Sequence, residues 1–506
     1  MRVCAQSGDQ VSLRKLLPEA ELLGAADLQI SACCRDSRRV RPGSLFVALD
    51  GAVHDGHDFA AEAVARGCSA VLAQRPIPEL HVPVALVSDT RAAYGRLCQA
   101  LAGDPSQRLK VVAVTGTHGK TTTSCLIASV MTTAGHRVGI LGSLGYSDGR
   151  KLGKARLATP PADQLARWLT RIVDNGCSHA VMEVSNHALE QSRVAGMVFD
   201  VACVTGVRRD HLDSHGPAQE PRRSTLRLLE HLAPEGLAVI NADDPAAAAL
   251  LTRTEGPVLT VAIRSAAEIT ATILDQAASE QTFLLVAGSE AMPVRTPMIG
   301  TRHVYHCLVA AAVGLAYGLD LPAVARGLEA VDYVPGRLQR IDCGQPFAVF
   351  VDHARTPDAL TTRLETLREV SPGRLICVFG AAGERDRGKR PLMGQAVEAG
   401  ADLAILSNDN PRSEDPQAIL QEILDGFRSP AEAKVIPDRA EAIGWALAQA
   451  HPGDAVLIAG KGHETYQVVG RKRVRFDDCE VARAWLYANP PHELPAAREQ
   501  GLGTRD

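Results

Sequence analysis

Val111-Val112-Ala113-Val114-Thr115-Gly116-Thr117-His118-Gly119-Lys120-Thr121-Thr122-Thr123 is the stretch on which the fold turns. Its apolar, β-branched run reads as a buried strand that breaks at Gly116 into a loop of small residues. Lys120 and Thr121 follow, and Cys125, Leu126, Ile127, Val130 and Met131 then fall at helical spacing. Strand, glycine loop, Lys-Thr and helix are the parts of a P-loop. Its backbone amides and helix N-terminus make an anion cradle, Lys120 adds a mobile positive charge, and the Thr121 hydroxyl can ligate Mg²⁺. The spacing is a variant: Val114 stands where the usual first glycine lies, and Gly116 makes the turn instead. The bland alternative is a glycine-rich turn with an exposed lysine. The stretch predicts binding of a nucleoside triphosphate through Gly116, Thr117, His118, Gly119, Lys120, Thr121 and Thr122.

Outward from this loop, strand and helix patterns alternate. Strands are predicted at 110–115, 137–141, 179–184, 200–204 and 237–240, with helices at 120–134, 162–175 and 223–232. That alternation predicts a mostly parallel sheet covered by helices on both faces. Beyond Tyr333-Val-Pro-Gly-Arg337 it resumes, with strands at 347–352, 374–379, 402–407 and 455–459 and helices at 357–370, 391–399 and 416–427. Residues 1–104 mix short elements, with Ser44–Leu49 as the clearest strand. The fold class is therefore α/β in three domains. A small N-terminal α/β domain (1–104) precedes a central P-loop domain with a parallel sheet (105–335). A Rossmann-like α/β domain (336–490) follows, and a Pro- and charge-rich tail (491–506) is expected to fray.

Bulk properties narrow the function. A chain of 506 residues exceeds one core. A net charge of −4 gives no electrostatic reason to expect nucleic acid or an anionic membrane as partner. No apolar run approaches the roughly 20 residues that span a bilayer, and the first residues lack a signal-peptide core. The twelve cysteines form no C-x-x-C pair. Cys68, Cys98, Cys125, Cys177, Cys203 and Cys377 read as small buried hydrophobes, which suits a reducing cytoplasm. The adjacent Cys33 and Cys34 receive no role.

Ligands in open α/β sheets sit at the carboxyl ends of strands. One predicted strand ends in Glu183-Val-Ser185-Asn-His187, and the next runs into Asp210-His211-Leu-Asp-Ser-His-Gly216. Glu183 and His211, beside a P-loop, can hold Mg²⁺ against the phosphates. The third block's strands end in residues 380–391, in Asn408-Asp409-Asn410-Pro411-Arg412, and in Gly460-Lys-Gly-His-Glu464. Arginines beside carboxylates suit a zwitterionic guest, since Arg clamps a carboxylate and Asp or Glu takes an ammonium. Ordinary surface ion pairs would look the same in sequence.

In order, Gly-Thr-His-Gly-Lys-Thr-Thr, Met-Glu-Val-Ser-Asn-His-Ala-Leu, Asp-His-Leu-Asp-Ser-His-Gly, Asn-Ala-Asp-Asp-Pro, Val-Pro-Gly-Arg, Asp-Asn-Pro-Arg and Gly-Lys-Gly-His-Glu resemble the Mur ligases, most of all those of the MurE type. Asp36-Ser37-Arg38 and Gly43–Leu49 extend the resemblance into the first block. It implies an ATP-driven, Mg²⁺-dependent ligase of the cytoplasm, expected as a monomer. Such an enzyme adds meso-diaminopimelate to UDP-N-acetylmuramoyl-L-alanyl-D-glutamate (UDP-MurNAc-dipeptide) through an acyl phosphate, in peptidoglycan synthesis. Lys120, Glu183 and His211 would be catalytic, and Thr121, Glu183 and His211 would ligate the metal. His306, Arg337 and Asp352 would join the P-loop in holding nucleotide. Ser37, Thr159, Ser185, Gln191 and Arg193 would grip the UDP precursor. Arg385, Asp409, Asn410, Pro411, Arg412, Gly460 and Glu464 would grip the amino acid, and the Asp-Asn-Pro-Arg run goes with diaminopimelate rather than lysine.

Some positions depart from the family pattern. Thr225 stands where a lysine becomes carbamylated, Pro221 where a tyrosine is usual, and Gly206 where an asparagine is. His303 and His306 replace asparagines, the latter near the adenine, and Arg355 replaces the histidine of Asp-Tyr-Ala-His-Thr-Pro. Two alternatives therefore stand beside the main reading. One is a paralogue that joins another amine. The other is a weakly active or inactive relative that binds nucleotide or precursor.

Overall fold

A computed structural model of the chain describes residues 2–4, 10–51, 53–206 and 220–490. His211 and its neighbours at 210–216 lie outside the described residues, as does the tail from 491. The chain divides into two compact units. The first comprises Met1–Leu274, Thr282–Thr296 and Thr301–Asp332; the second comprises Asp275–Gln281, Pro297–Gly300 and Tyr333–Asp506.

In the first unit, strand Lys110–Thr115 lies inside an eleven-stranded sheet, parallel to His179–Glu183 on one side and Phe199–Val204 on the other. Its residues alternate between two cores, as the two-residue period of a strand requires. Val112 and Val114 pack with Leu126, Ile127 and Val130 of helix Lys120–Thr133. Val111 and Ala113 pack with Leu165 and Leu169 of helix Ala162–Asp174. All four strand residues are fully buried, and each such valine contributes about 1.5–3 kcal/mol of transfer free energy. Parallel pairing continues through Val138–Gly142 on one flank and through Leu232–Asn241, Val258–Ala262 and Ile269–Gln276 on the other.

The edges depart from simple alternation. Gly145–Ser147 and Leu152–Gly153 turn back antiparallel at one edge, and Gln281–Ala287 and Glu290–Thr296 extend the other. Helix Thr301–Ala316 was not expected, because most of its residues from His303 to Gly314 are buried on every side. A helix apolar all round leaves no 3.6-residue contrast to read. The helix expected at 223–232 runs Glu220–Leu229, and the strand expected at 237–240 begins at Leu232. Cys125 is half-buried, whereas the other cysteines expected inside are buried.

The N-terminal part of this unit holds a six-stranded sheet that includes Leu45–Val47 and Ala70–Ala73. Asp89 caps helix Thr90–Leu101 by accepting from the amides of Arg91 and Ala92. Leu97 and Leu101 of that helix share a core with Ala162 and Ala166. The first two sequence blocks therefore pack as one unit.

The second unit is a six-stranded sheet in the order Gln339–Arg340, Ala348–Asp352, Ala455–Ala459, Leu375–Phe379, Leu403–Leu406 and Lys434–Val435. All its pairings are parallel except the first. Thr356, Asp415, Asp438 and Asp477 each cap a helix around it. Two of those helices, Arg439–Gln449 and Asp478–Ala488, are joined by a fully buried ion pair. Arg439 donates Nε and Nη2 to the two Asp478 oxygens, each at 2.8 Å, and Nη2 also reaches the Ala459 carbonyl at 2.9 Å. The guanidinium thus fixes the end of a central strand.

Candidate active site

In the first unit, the ends of three neighbouring parallel strands bring together residues expected on the phosphate side. Gly116 (φ +135°) and Gly119 (φ +84°) make the loop turns that L side chains rarely adopt. Thr205 Oγ1, at the end of the adjacent strand, donates to the His118 carbonyl at 2.5 Å, and the Thr117 amide donates to the Gly206 carbonyl at 3.0 Å. The loop is therefore braced from one side. Lys120 curls back over it, donating Nζ to the Gly116 and Thr117 carbonyls at 2.6 and 3.2 Å. Helix Lys120–Thr133 starts from Gly119 with no side-chain cap. Thr121 and Thr122 are buried behind the loop.

The His306 ring lies against Gly119. A Cβ built at Gly119 would stand 2.2 Å from His306 Nε2. Gly119→Ala combines that clash with a strained φ, and we expect it to weaken ATP binding about tenfold or more, measured by calorimetry with ATP and Mg²⁺. Unchanged affinity would remove the loop from the nucleotide site. One turn earlier, His303 is buried, and desolvation pushes its pKa down to about 3. It stays neutral, with Nε2 at 3.2 Å from Thr296 Oγ1.

Glu183 ends its strand beside this loop and is only 2% exposed. Its carboxylate accepts from the amide and the hydroxyl of Ser143, at 2.7 and 2.8 Å. Ser143 was missed in sequence, since nothing marks a serine forty residues away as the partner of a glutamate. Residues expected to grip the precursor gather next to it. Thr159 Oγ1 donates to the Glu183 carbonyl at 2.8 Å and accepts from the Ser185 amide at 3.0 Å. Arg193 donates to the Thr159 carbonyl and to Gln191 Oε1, and Ser185 caps the short helix Asn186–Glu190. Ser37 stands apart from them in the N-terminal sheet region, where its hydroxyl donates to Glu62 at 2.8 Å.

Hydroxyl and carboxylate oxygens are ligands Mg²⁺ takes, and Thr121 and Glu183 supply one of each at the loop's helix and at the neighbouring strand end. Among the described residues no group of three His, Cys, Asp or Glu side chains gathers to hold a metal. The donor set fits a cation shared with phosphate oxygens. Thr225, expected at the place of the family's carbamylated lysine, is buried.

In the second unit, Arg337 donates to the Gly336 carbonyl at 3.1 Å. Asp352 is buried and committed internally, accepting from the Leu338 amide at 2.7 Å and pairing with Arg363 at 3.1 Å. Its part in any nucleotide contact is therefore to shape the backbone around Leu338.

The loops after three strands of this unit build a second cluster. Asn410 uses its whole amide: Nδ2 donates to Asp409 Oδ1 (3.0 Å) and Glu464 Oε2 (2.9 Å), while Oδ1 accepts from Val468 N (2.8 Å) and Lys461 Nζ (3.3 Å). Lys461 is fully buried, 3.8 Å from Asp409 and 3.5 Å from Glu464. Burial pushes its ammonium below the usual lysine range, against the pull of Asp409 and Glu464. Burial raises the Glu464 pKa, but Arg355, Asn410 and Lys461 outweigh it and hold the carboxyl below its usual range. One oxygen of Asp409 is buried without a hydrogen bond among the described residues.

At the rim, Arg412 (φ +55°) and Glu384 (φ +54°) both hold strained left-handed backbone and lie 3.7 Å apart. Such strain persists where surrounding structure imposes it, commonly at ligand sites. Arg385 is exposed overall, and partial desolvation of its guanidinium together with Arg412 and Arg355 lowers its pKa. Pro411 carries the loop between Asn410 and Arg412, and Gly460 (φ +119°) donates its amide to the Asp352 carbonyl at 3.0 Å. Lys461 and Arg355 were not among the expected site residues, although their motifs were noted.

Three family models match the chain: "Mur ligase family, catalytic domain" over residues 29–101, "Mur ligase middle domain" over 114–314 and "Mur ligase, glutamate ligase domain" over 336–462. A UDP-N-acetylmuramoyl-L-alanyl-D-glutamate–2,6-diaminopimelate ligase of Geobacillus kaustophilus is 43% identical over 456 residues, 89% of this chain and 93% of that one. The ligase of the same name from Geobacter metallireducens is 40% identical, covering 93% and 97%. A solved structure bearing that ligase name superposes with a TM-score of 0.68 at 32% identity, covering 95% of this chain and 99% of the other. The MurF ligase of Thermotoga maritima in complex with ADP shares the fold, with a TM-score of 0.56 at 20% identity. By sequence likeness across nearly its whole length, the chain belongs to the Mur ligase family.

Proposed function

We propose that this protein is an ATP-dependent amide ligase that adds meso-diaminopimelate to UDP-N-acetylmuramoyl-L-alanyl-D-glutamate in peptidoglycan precursor synthesis. The observation that carries this reading is the pairing, in one chain, of two differently built sites. One is a braced, uncapped P-loop with Glu183 at the neighbouring strand end. The other is a buried carboxylate cluster at Asp409 and Glu464, rimmed by Arg385 and Arg412. The first suits a triphosphate, and the second suits a guest with both ammonium and carboxylate groups. Relatives named for this reaction, at about 40% identity, support it.

In this reading the precursor carboxylate attacks the γ-phosphate, ADP leaves, and an acyl phosphate forms. The amine then displaces inorganic phosphate through a tetrahedral intermediate. Lys120 leaves the loop carbonyls to meet the transferring phosphoryl group. Thr121 and Glu183, together with His211, would hold Mg²⁺, which would supply neutralisation of charge on the phosphate oxygens. Thr159, Ser185, Gln191 and Arg193 orient the precursor, with Ser37 toward its UDP end. Domains at 1–104, 105–335 and 336–490 and a tail at 491–506 divide the work. No helix among the described residues is long and apolar enough to cross a membrane, and we place the enzyme in the cytoplasm.

Purified protein with ATP, Mg²⁺, UDP-MurNAc-dipeptide and a panel of amines tests the reading by phosphate release. Release that depends on diaminopimelate supports it, and release only with another amine identifies a diverged ligase. Silence with every amine, alongside retained ATP binding, identifies an inactive relative. Thr225 adds a separate expectation. A buried hydroxyl cannot take up CO₂ as a lysine amine does, so stripping bicarbonate from the assay should leave turnover unchanged. A bicarbonate-dependent rate would mean that another amine supplies a carbamate.

A further inference from the structure

Arg355 sits between strand Ala348–Asp352 and helix Pro357–Val370, and it reaches into the carboxylate cluster. Nη2 lies 2.6 Å from Glu464 Oε1, and Nε donates to the Gly460 carbonyl at 2.7 Å. Nε also lies 3.8 Å from the Asp409 oxygen that lacks a hydrogen bond. Its own carbonyl accepts from Lys389 at 3.0 Å, which anchors the backbone beneath the side chain. Glu464 Oε2 already accepts from Asn410 and faces Lys461. Both oxygens of Glu464 are thus occupied by the chain itself.

The charges then close. Asp409 and Glu464 contribute two negatives, and Arg355 and Lys461 contribute two positives. At the rim, Glu384 answers Arg412 at 3.7 Å, while exposed Arg385 forms no ion pair among the described residues. A guest therefore meets a site whose carboxylates are neutralised from within and whose rim carries a positive excess.

We propose that Arg355 is a specificity-determining residue: by neutralising Glu464 and Asp409 from inside, it makes the site select amines bearing two carboxylates over those bearing one. Diaminopimelate and lysine differ by that one carboxylate. Both guests carry two amines, but lysine keeps a net positive charge, and carboxylates already paired with Arg355 and Lys461 leave nothing to offset it. Diaminopimelate brings a second carboxylate, which the arginine-rich rim accepts. This inference rests on reading the cluster as the amino-acid site, as proposed above.

The test compares wild type, Arg355→Gln and Arg355→Lys for kcat and KM with diaminopimelate and with L-lysine. In Arg355→Gln the ratio of kcat/KM values, diaminopimelate over lysine, should fall about tenfold or more, mainly through KM. In Arg355→Lys, which keeps the cation, the ratio should stay close to that of wild type. Arg355→Met, uncharged and of similar reach, supplies the same reading if the glutamine variant does not fold. An unchanged ratio in the uncharged variants overturns the inference and leaves the diaminopimelate reading standing. Wild type that ignores diaminopimelate, or prefers lysine, overturns both.

Discussion

Replacing Lys120 with alanine is expected to stop turnover while leaving the protein folded. The ammonium donates to two carbonyls of its own loop, Gly116 and Thr117. Folding of the sheet around Val111–Val114 does not depend on it, because those residues are held by two apolar cores. In the proposed reaction its role changes, since it would meet the developing negative charge on the transferring phosphoryl group. Losing one such preorganised electrostatic contact typically costs about 10²–10³ in kcat. Phosphate release with all substrates present should fall by at least that much, with thermal unfolding unmoved. Near-normal turnover in Lys120→Ala would sink the phosphate-cradle assignment.

A comparably large effect, on stability rather than rate, is expected from Asp478→Ala. Arg439 and Asp478 are both fully removed from solvent and meet through two hydrogen bonds of 2.8 Å. Burial opposes the charge on Arg439, but Asp478 outweighs it and holds the guanidinium pKa above its usual value. Alanine at 478 leaves that guanidinium buried without its counter-ion. Breaking one side of a buried pair costs about 3–5 kcal/mol. Denaturant unfolding of the purified chain should show the loss. The damage should spread to the proposed amino-acid site, because Arg439 also holds the Ala459 carbonyl one residue before Gly460. A change below 1 kcal/mol would mean that water reaches the guanidinium, contrary to its burial (about 1 kcal/mol being the ceiling for exposed pairs).

Much of the fold was legible because parallel strands buried on both faces write themselves as short β-branched runs. The strand expected at 110–115 is Lys110–Thr115, and the helix expected at 357–370 is Pro357–Val370. What stayed hidden follows one physical pattern. Helix Thr301–Ala316 is apolar on every side, and helices Arg439–Gln449 and Asp478–Ala488 meet through a charge pair thirty-nine residues apart. The site shows the same division. P-loop and strand-end motifs are contiguous, so Lys120, Glu183 and Asp409 could be singled out from sequence. Ser143, Lys461 and Arg355 take their roles from partners about forty, fifty and a hundred residues distant. No local pattern carries that information.

Thr159 holds a single hydroxyl between the Glu183 carbonyl and the Ser185 amide. Glu183 and Ser185, two residues apart and proposed to serve different substrates, are thereby fastened to one atom. Any ligand that pulls the Ser185 side into place tightens the strand end that carries Glu183, and the reverse holds by thermodynamic reciprocity. On the proposed assignment, nucleotide and precursor would be coupled through one threonine, and whichever arrived first would lower the entropic cost of seating the second.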